Sequence, residues 1–84
     1  MVNGIVKRVI GPVVDVQFPA GQLPELYNAV EITHDDGSKI TLEVVQQVGE
    51  GVVRCIALAS TDGISRGTTA VDTGAPITMP VGEA

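Results

Sequence analysis

Apolar and polar residues alternate along most of this chain with a period of two, and short turn signals break the alternation at fairly even intervals. The clearest stretch is Val14 to Phe18, where Val14, Val16 and Phe18 point one way and Asp15 and Gln17 the other. An apolar segment from about Gly4 to Ile10, interrupted by Lys7 and Arg8, precedes it. Gly11-Pro12 separates the two, since Pro12 cannot donate a ladder bond and biases Gly11 away from the helical region. Pro19 to Pro24 reads as a loop around Gly21. Leu26 to Thr33 predicts the next strand, with Val30 and Ile32 alternating against Glu31 and Thr33. Asp36-Gly37 predicts a tight hairpin, because both residues tolerate positive φ. Lys39 to Val48 is the return strand, with Ile40, Leu42 and Val44 on one face and Thr41, Glu43 and Val45 on the other. Gly49-Glu50-Gly51 predicts a second turn. Val52 to Ala59 then returns, apolar on nearly both faces apart from Arg54, and such a strand is buried on both sides or faces a partner.

The remainder changes character. Ser60-Thr61-Asp62-Gly63 is a turn cluster, followed by Ile64 and Arg66-Gly67. Thr69 to Asp72 predicts a short strand, Thr73-Gly74-Ala75-Pro76 a turn, and Ile77 to Val81 a last strand limited by Pro80. No amphipathic helix is legible, and no linker, low-complexity tract or long-period repeat divides the chain. Six strands from among these segments, joined by short turns, are expected to close as a small antiparallel barrel of Greek-key type, which removes exposed edges and fills the interior with side chains. The expected fold is therefore all-β, one barrel domain over residues 1–84.

Composition supports this. Val, Ile and Thr fill 28 of the 84 positions while aromatics supply 2%. Such β-branched side chains are stiff at χ1 and fit a pleated surface. Charge removes several functions. A net charge of -5 opposes a binder of phosphate backbones, and one Phe and one Tyr give no stacking platform for nucleic acid. One Cys forms no internal disulfide, and one Cys with one His cannot supply a structural zinc site. No apolar run approaches the roughly 20 residues that span a bilayer. No basic stretch followed by an apolar one opens the sequence, so no secretory signal is expected there.

The candidates for chemistry are few. Gly49-Glu50-Gly51 resembles part of a glycine-rich loop, but no Gly-Lys-Ser/Thr follows and the next segment predicts a strand. His34 with Asp35 and Asp36 is an acid–base candidate, set against the plainer reading of a solvated hairpin. Cys55 lies in the most apolar strand and reads as an inert core thiol. Ser60, Thr61 and Asp62 imitate a fragment of a hydrolase site, yet their order is ordinary turn chemistry. Arg54 and Arg66 need a carboxylate, a carbonyl or water, and a partner across an internal strand is the expected one for Arg54. From the residues alone the chain is an acidic all-β module. Catalytic, cofactor-binding and metal-ligating residues are all expected to be none. A small ligand-binding barrel is the alternative, and an enzyme using Asp15, His34 or Asp62 a third reading.

Several ordered segments carry a resemblance. Gly4-Ile5-Val6-Lys7-Arg8-Val9-Ile10-Gly11-Pro12-Val13-Val14-Asp15-Val16-Gln17-Phe18 resembles the opening of the β subunit of F-type ATP synthases. Leu23 to Ala29, Leu42 to Gly49 and Val52 to Ala57 continue the likeness. Ser60-Thr61-Asp62-Gly63-Ile64-Ser65-Arg66-Gly67 and the run Val71 to Gly82 resemble the catalytic β subunit more than the related α subunit. The resemblance implies the N-terminal domain of that subunit, a closed six-stranded barrel. In the family three α and three β barrels form a crown at the end of the catalytic head farthest from the membrane. It therefore implies a structural and assembly role, with α and β subunits as partners through neighbouring barrels. The parent makes ATP from ADP and phosphate with magnesium and a proton gradient. It sits peripherally on the energy-transducing membrane, without inserting. The phosphate-binding loop, catalytic carboxylate and adenine-contacting aromatics follow this domain in the family, and Val81-Gly82-Glu83-Ala84 falls about where the family passes toward them. The chain itself is expected to be no enzyme, to need no cofactor and to be soluble.

Being one piece of such a ring, as the resemblance implies, would have physical consequences. A flank including part of Val52 to Leu58 is expected to face a neighbouring barrel and to favour self-association when isolated. Gly37 and Gly63 are expected to hold positive φ. Ile56, if inward-facing, is expected to cost about 2–5 kcal/mol on truncation to Ala.

Overall fold

A computed structural model of the chain describes residues 2–34 and 36–76. Within them the alternation becomes six strands: β1 (Val2–Ile10), β2 (Val13–Gln17), β3 (Asn28–Thr33), β4 (Lys39–Gly49), β5 (Val52–Ala57) and β6 (Thr69–Pro76). They close in the order β1-β2-β5-β4-β3-β6, with β6 returning onto β1 and every neighbouring pair antiparallel. Strands β3, β4 and β5 follow one another as hairpins, and β6 comes back beside β3, which is the Greek-key arrangement. There is no helix among the described residues.

The period-two pattern decides what lies inside. Val14 and Val16, Ile40, Leu42 and Val44, and Val53, Cys55 and Ala57 are alternate residues of three strands, and all are buried. Val6, Val30, Ile32 and Ala70 complete the packed interior from the other three. A small barrel has a narrow lumen, so valine suits it better than aromatic rings. Phe18 is the exception, and Gly4 makes room for it: a Cβ on Gly4 would sit 2.8 Å from the Phe18 ring and 2.8 Å from the Gln17 carbonyl.

Bulges locate what simple alternation misses. In β1 the pairing passes from Val6↔Val16 to Arg8↔Asp15, so Lys7 is the extra residue and Lys7 and Arg8 are both exposed. In β4 the register shifts between Val44 and Gln46 and again between Gln47 and Gly49, which leaves Val45 and Val48 exposed.

Four expectations change. Thr73-Gly74-Ala75-Pro76 is no turn but the end of β6. Asn28 pairs with Pro76 and Val30 with Asp72, so Ala29 faces a bulge of three residues. Gly74 at φ 78 and the Thr73 hydroxyl donating to the Ala29 carbonyl at 2.9 Å absorb the turn chemistry inside the strand. Strand β3 starts at Asn28 rather than Leu26, because Tyr27 takes φ 71 and its N–H turns to the Val44 carbonyl. Strand β5 ends at Ala57 and buries one face only, with Val52, Arg54 and Ile56 half-buried on the other. Ile56 accordingly faces outward, since Cys55 and Ala57 hold the inward register. The expected strand Ile77 to Val81 lies outside the described residues. Gly37 and Gly63 hold φ 90 and 87, as their turns require.

Candidate functional site

The turn residues with chemical potential gather at one end of the barrel. The β3–β4 hairpin and the β5–β6 loop meet there, so His34, Asp36, Ser38, Asp62 and Gly63 line an open depression of about 480 Å³. The chain order kept His34 and Asp62 apart, and tertiary structure joins them. Asp36 and Ser38 are nonetheless engaged with each other. Asp36 Oδ1 accepts from the Ser38 N–H at 2.8 Å and the Ser38 hydroxyl at 2.6 Å, and the Asp62 N–H donates to Ser60 Oγ at 3.2 Å. The Ser38 hydroxyl, then its N–H, holds the Asp36 carboxyl below the usual range, with the nearby His34 adding to it. That hydroxyl is committed to a carboxylate and not to the imidazole, so the nucleophile–base contact of a hydrolase is not formed. Thr61 Oγ1 donates to the Gly11 carbonyl at 2.8 Å and pins the loop to the β1–β2 turn. Asp35 lies outside the described residues.

The other singled-out residues sit as follows. Gly49, Glu50 and Gly51 form the β4–β5 hairpin with φ 109, 57 and 81, and β5 rather than a helix follows. A Cβ on Gly51 would lie 2.8 Å from the Phe18 carbonyl, so that position of the turn has no room for a side chain. Cys55 points into the core, where burial pushes its thiol up to about 12, with the Asp15 and Asp72 charges adding to it. Arg66 is exposed in the β5–β6 loop. Among the described residues no cluster of three or more His, Cys, Asp or Glu could hold a metal ion.

Arg54 finds its partner across the sheet. Asp15 on β2 lies directly opposite Arg54 on β5 and Arg8 on β1. Its Oδ1 accepts from Arg54 Nε at 3.1 Å, and its Oδ2 from Arg8 Nη2 at 3.2 Å and Arg54 Nη2 at 3.5 Å. The Asp15 side chain is 9% exposed, against 58% for Arg8 and 33% for Arg54. The carboxylate, foremost through its hydrogen bond and then through its charge, raises the Arg54 guanidinium further above its ordinary value.

Registers place this row between two rows on the outer face that are largely apolar. Above it Ile10, Val13 and Ile56 stand side by side on β1, β2 and β5, with Glu43 of β4 at their end. Below it Ile5, Gln17 and Val52 do the same. Ile10 and Ile5 are 58% and 51% exposed. Sequence reading had named Asp15 and Arg54 but not their contact, and it read Arg8 only as an interruption. It also missed Asp72, which is buried on the inner side of β6 and accepts from the Gly74 N–H at 2.9 Å and Asn28 Nδ2 at 3.4 Å. The only hint was its period-two spacing from Ala70.

What these features define is a small closed Greek-key barrel whose most distinctive surface is a sheet face, not a cleft. Residues 6–74 match the ATP synthase alpha/beta family, beta-barrel domain. The chain belongs to this family. No helix among the described residues is long and apolar enough to cross a membrane.

Proposed function

We propose that this chain is the N-terminal barrel of a catalytic β subunit of an F-type ATP synthase, and that it works in assembly. The observation that carries the reading is the match over residues 6–74, on a barrel whose outer face carries apolar side chains around fixed arginines. An apolar sheet face with central arginines has the make-up of a protein interface. The β rather than α assignment rests on the likeness of Ser60 to Gly67 and of Val71 to Gly82. Its neighbours would be the barrels of α and β subunits, and the parent complex would lie peripherally on an energy-transducing membrane. Phosphoryl chemistry would belong to other parts of the parent, because it needs a phosphate-cradling loop and magnesium ligands.

Mixing the chain with isolated α subunit and measuring association by analytical ultracentrifugation tests this. A heteromeric species is expected, and its absence at tens of micromolar would remove the assembly role. Calorimetric titration with Mg-ATP and Mg-ADP is expected to give no heat of binding. Saturable micromolar binding would make the barrel a nucleotide-binding module in its own right.

A further inference from the structure

Three of the chain's five basic residues, Lys7, Arg8 and Arg54, stand on one outer face of a protein whose net charge is -5. The β1 bulge is the cause. One extra residue in the strand turns two consecutive basic side chains outward beside Asp15, where regular alternation would allow one. Asp15 then fixes both arginines, and both of its oxygens are engaged in doing so. Each guanidinium carries five donors, so most of those on Arg8 remain directed to solvent. Among the described residues Asp15 is the sole carboxylate in ion-pair contact with either arginine, and Lys7 has no ion pair. Two arginines therefore share one carboxylate, with Lys7 unpaired beside them and Glu43 at the far end of one flanking row, between exposed Ile10 and Ile5 and half-buried Val13, Ile56 and Val52.

We infer that the outer face of β1, β2 and β5 docks a carboxylate-bearing, otherwise apolar segment of another polypeptide. The partner's Glu or Asp completes the charge of the Arg8–Asp15–Arg54 row, and its apolar side chains cover the flanking rows. Charge complementarity selects this occupant. The arginines are already oriented, so little side-chain entropy is lost when a second carboxylate arrives, and Arg can grip it with two parallel N–H donors. A purely apolar partner would dehydrate the guanidinium donors that Asp15 does not occupy and leave them unpaired. This inference rests on the assembly reading and adds a face and a chemistry to it.

The test uses the isotopically labelled 84-residue chain and amide chemical shifts. It is titrated with a blocked hexapeptide alternating valine and glutamate, and with its lysine counterpart, at low salt. Shifts confined to β1, β2 and β5 with the glutamate peptide alone are expected. They should weaken at least tenfold on raising salt to about 0.5 M, because the partner's charge is screened. They should also weaken at least fivefold in the Arg8→Gln variant. Arg8 is mostly exposed, so that variant should keep the dispersed spectrum of the folded barrel. Equal shifts with both peptides, none with either, or undiminished binding by Arg8→Gln would overturn the inference. Binding to phosphatidylglycerol vesicles without a peptide response would also overturn it, by pointing to a lipid surface. The two readings fail separately. Association with α subunit that ignores Arg8→Gln keeps the assembly role and removes this face, whereas peptide binding without α-subunit association keeps the face and removes that partner.

Discussion

The two sides of this barrel each bury a carboxylate, and they meet its charge in different ways. On the β1–β2–β5 side Asp15 lies on the outer face under two guanidiniums, which shield it while their own heads stay in water. On the β3–β6 side Asp72 points inward and is met by neutral N–H donors from Gly74 and Asn28. The narrow lumen has no space for an arginine, so backbone and amide donors must serve there. Both solutions depend on a β-bulge. The one in β1 turns Arg8 outward beside Asp15, and the one in β6 turns the Gly74 N–H back onto Asp72. An inserted residue is thus what aims a donor at each buried charge.

The largest effect should come from a change that ignores the comparison, because both sides share one interior. Leu42→Ala removes a fully buried side chain and is expected to cost about 2–5 kcal/mol in denaturant titration. A loss under about 0.5 kcal/mol would mean that the inward register is wrong. Ile56→Ala, on the half-buried outer face, should cost clearly less than Leu42→Ala in the same titration.

Next come the carboxylates themselves. Asp72→Ala strands the buried Asn28 amide and frees the part-buried Gly74 N–H and should cost about 1–3 kcal/mol, whereas Asp72→Asn keeps an acceptor and should cost less than Asp72→Ala. Asp15→Asn should behave the other way. It keeps the shape but loses the charge, and its penalty should shrink as salt rises, because its partners are partly exposed. A salt-independent penalty at Asp15, or a salt-dependent one at Asp72, would erase the distinction drawn between the two sides.

Smaller effects lie in protonation. The Cys55 thiol is raised to about 12 when folded, against an ordinary value near 9.0. Its contribution to stability is therefore complete below about pH 9 and is lost as pH rises toward the folded value, since the unfolded chain releases the proton first. A thiol reagent at pH 8 should label Cys55 only as fast as the barrel unfolds, and prompt labelling would place the thiol at the surface. The smallest change is expected at the β3–β4 hairpin. Ser38→Ala should let the Asp36 carboxyl climb back toward its ordinary value in an NMR titration, with the barrel otherwise unchanged. The hairpin's share of stability is present above the unfolded carboxylate value and fades as pH falls through the lowered one.

The sequence by itself determined the class of fold, most strand positions, the hairpins at Asp36-Gly37 and Gly49 to Gly51, and which face of β2, β3 and β4 turns inward. These are local matters. Side-chain period and positive-φ turn residues act over a few positions, so they can be read without knowing what lies across the sheet. The family likeness was legible for the same reason, in runs of consecutive residues. Only the tertiary structure decided the rest. Arg54 is distant from Asp15 in the chain and meets it through the β2–β5 pairing, and Arg8, though only seven residues away, meets it because a bulge sets the β1–β2 register. The same holds for Asn28 with Asp72, and for His34 with Asp62 at the shared rim. A turn motif such as Thr73 to Pro76 carries the same local chemistry in a loop or in a bulge, and pairing with β3 is what chose the bulge.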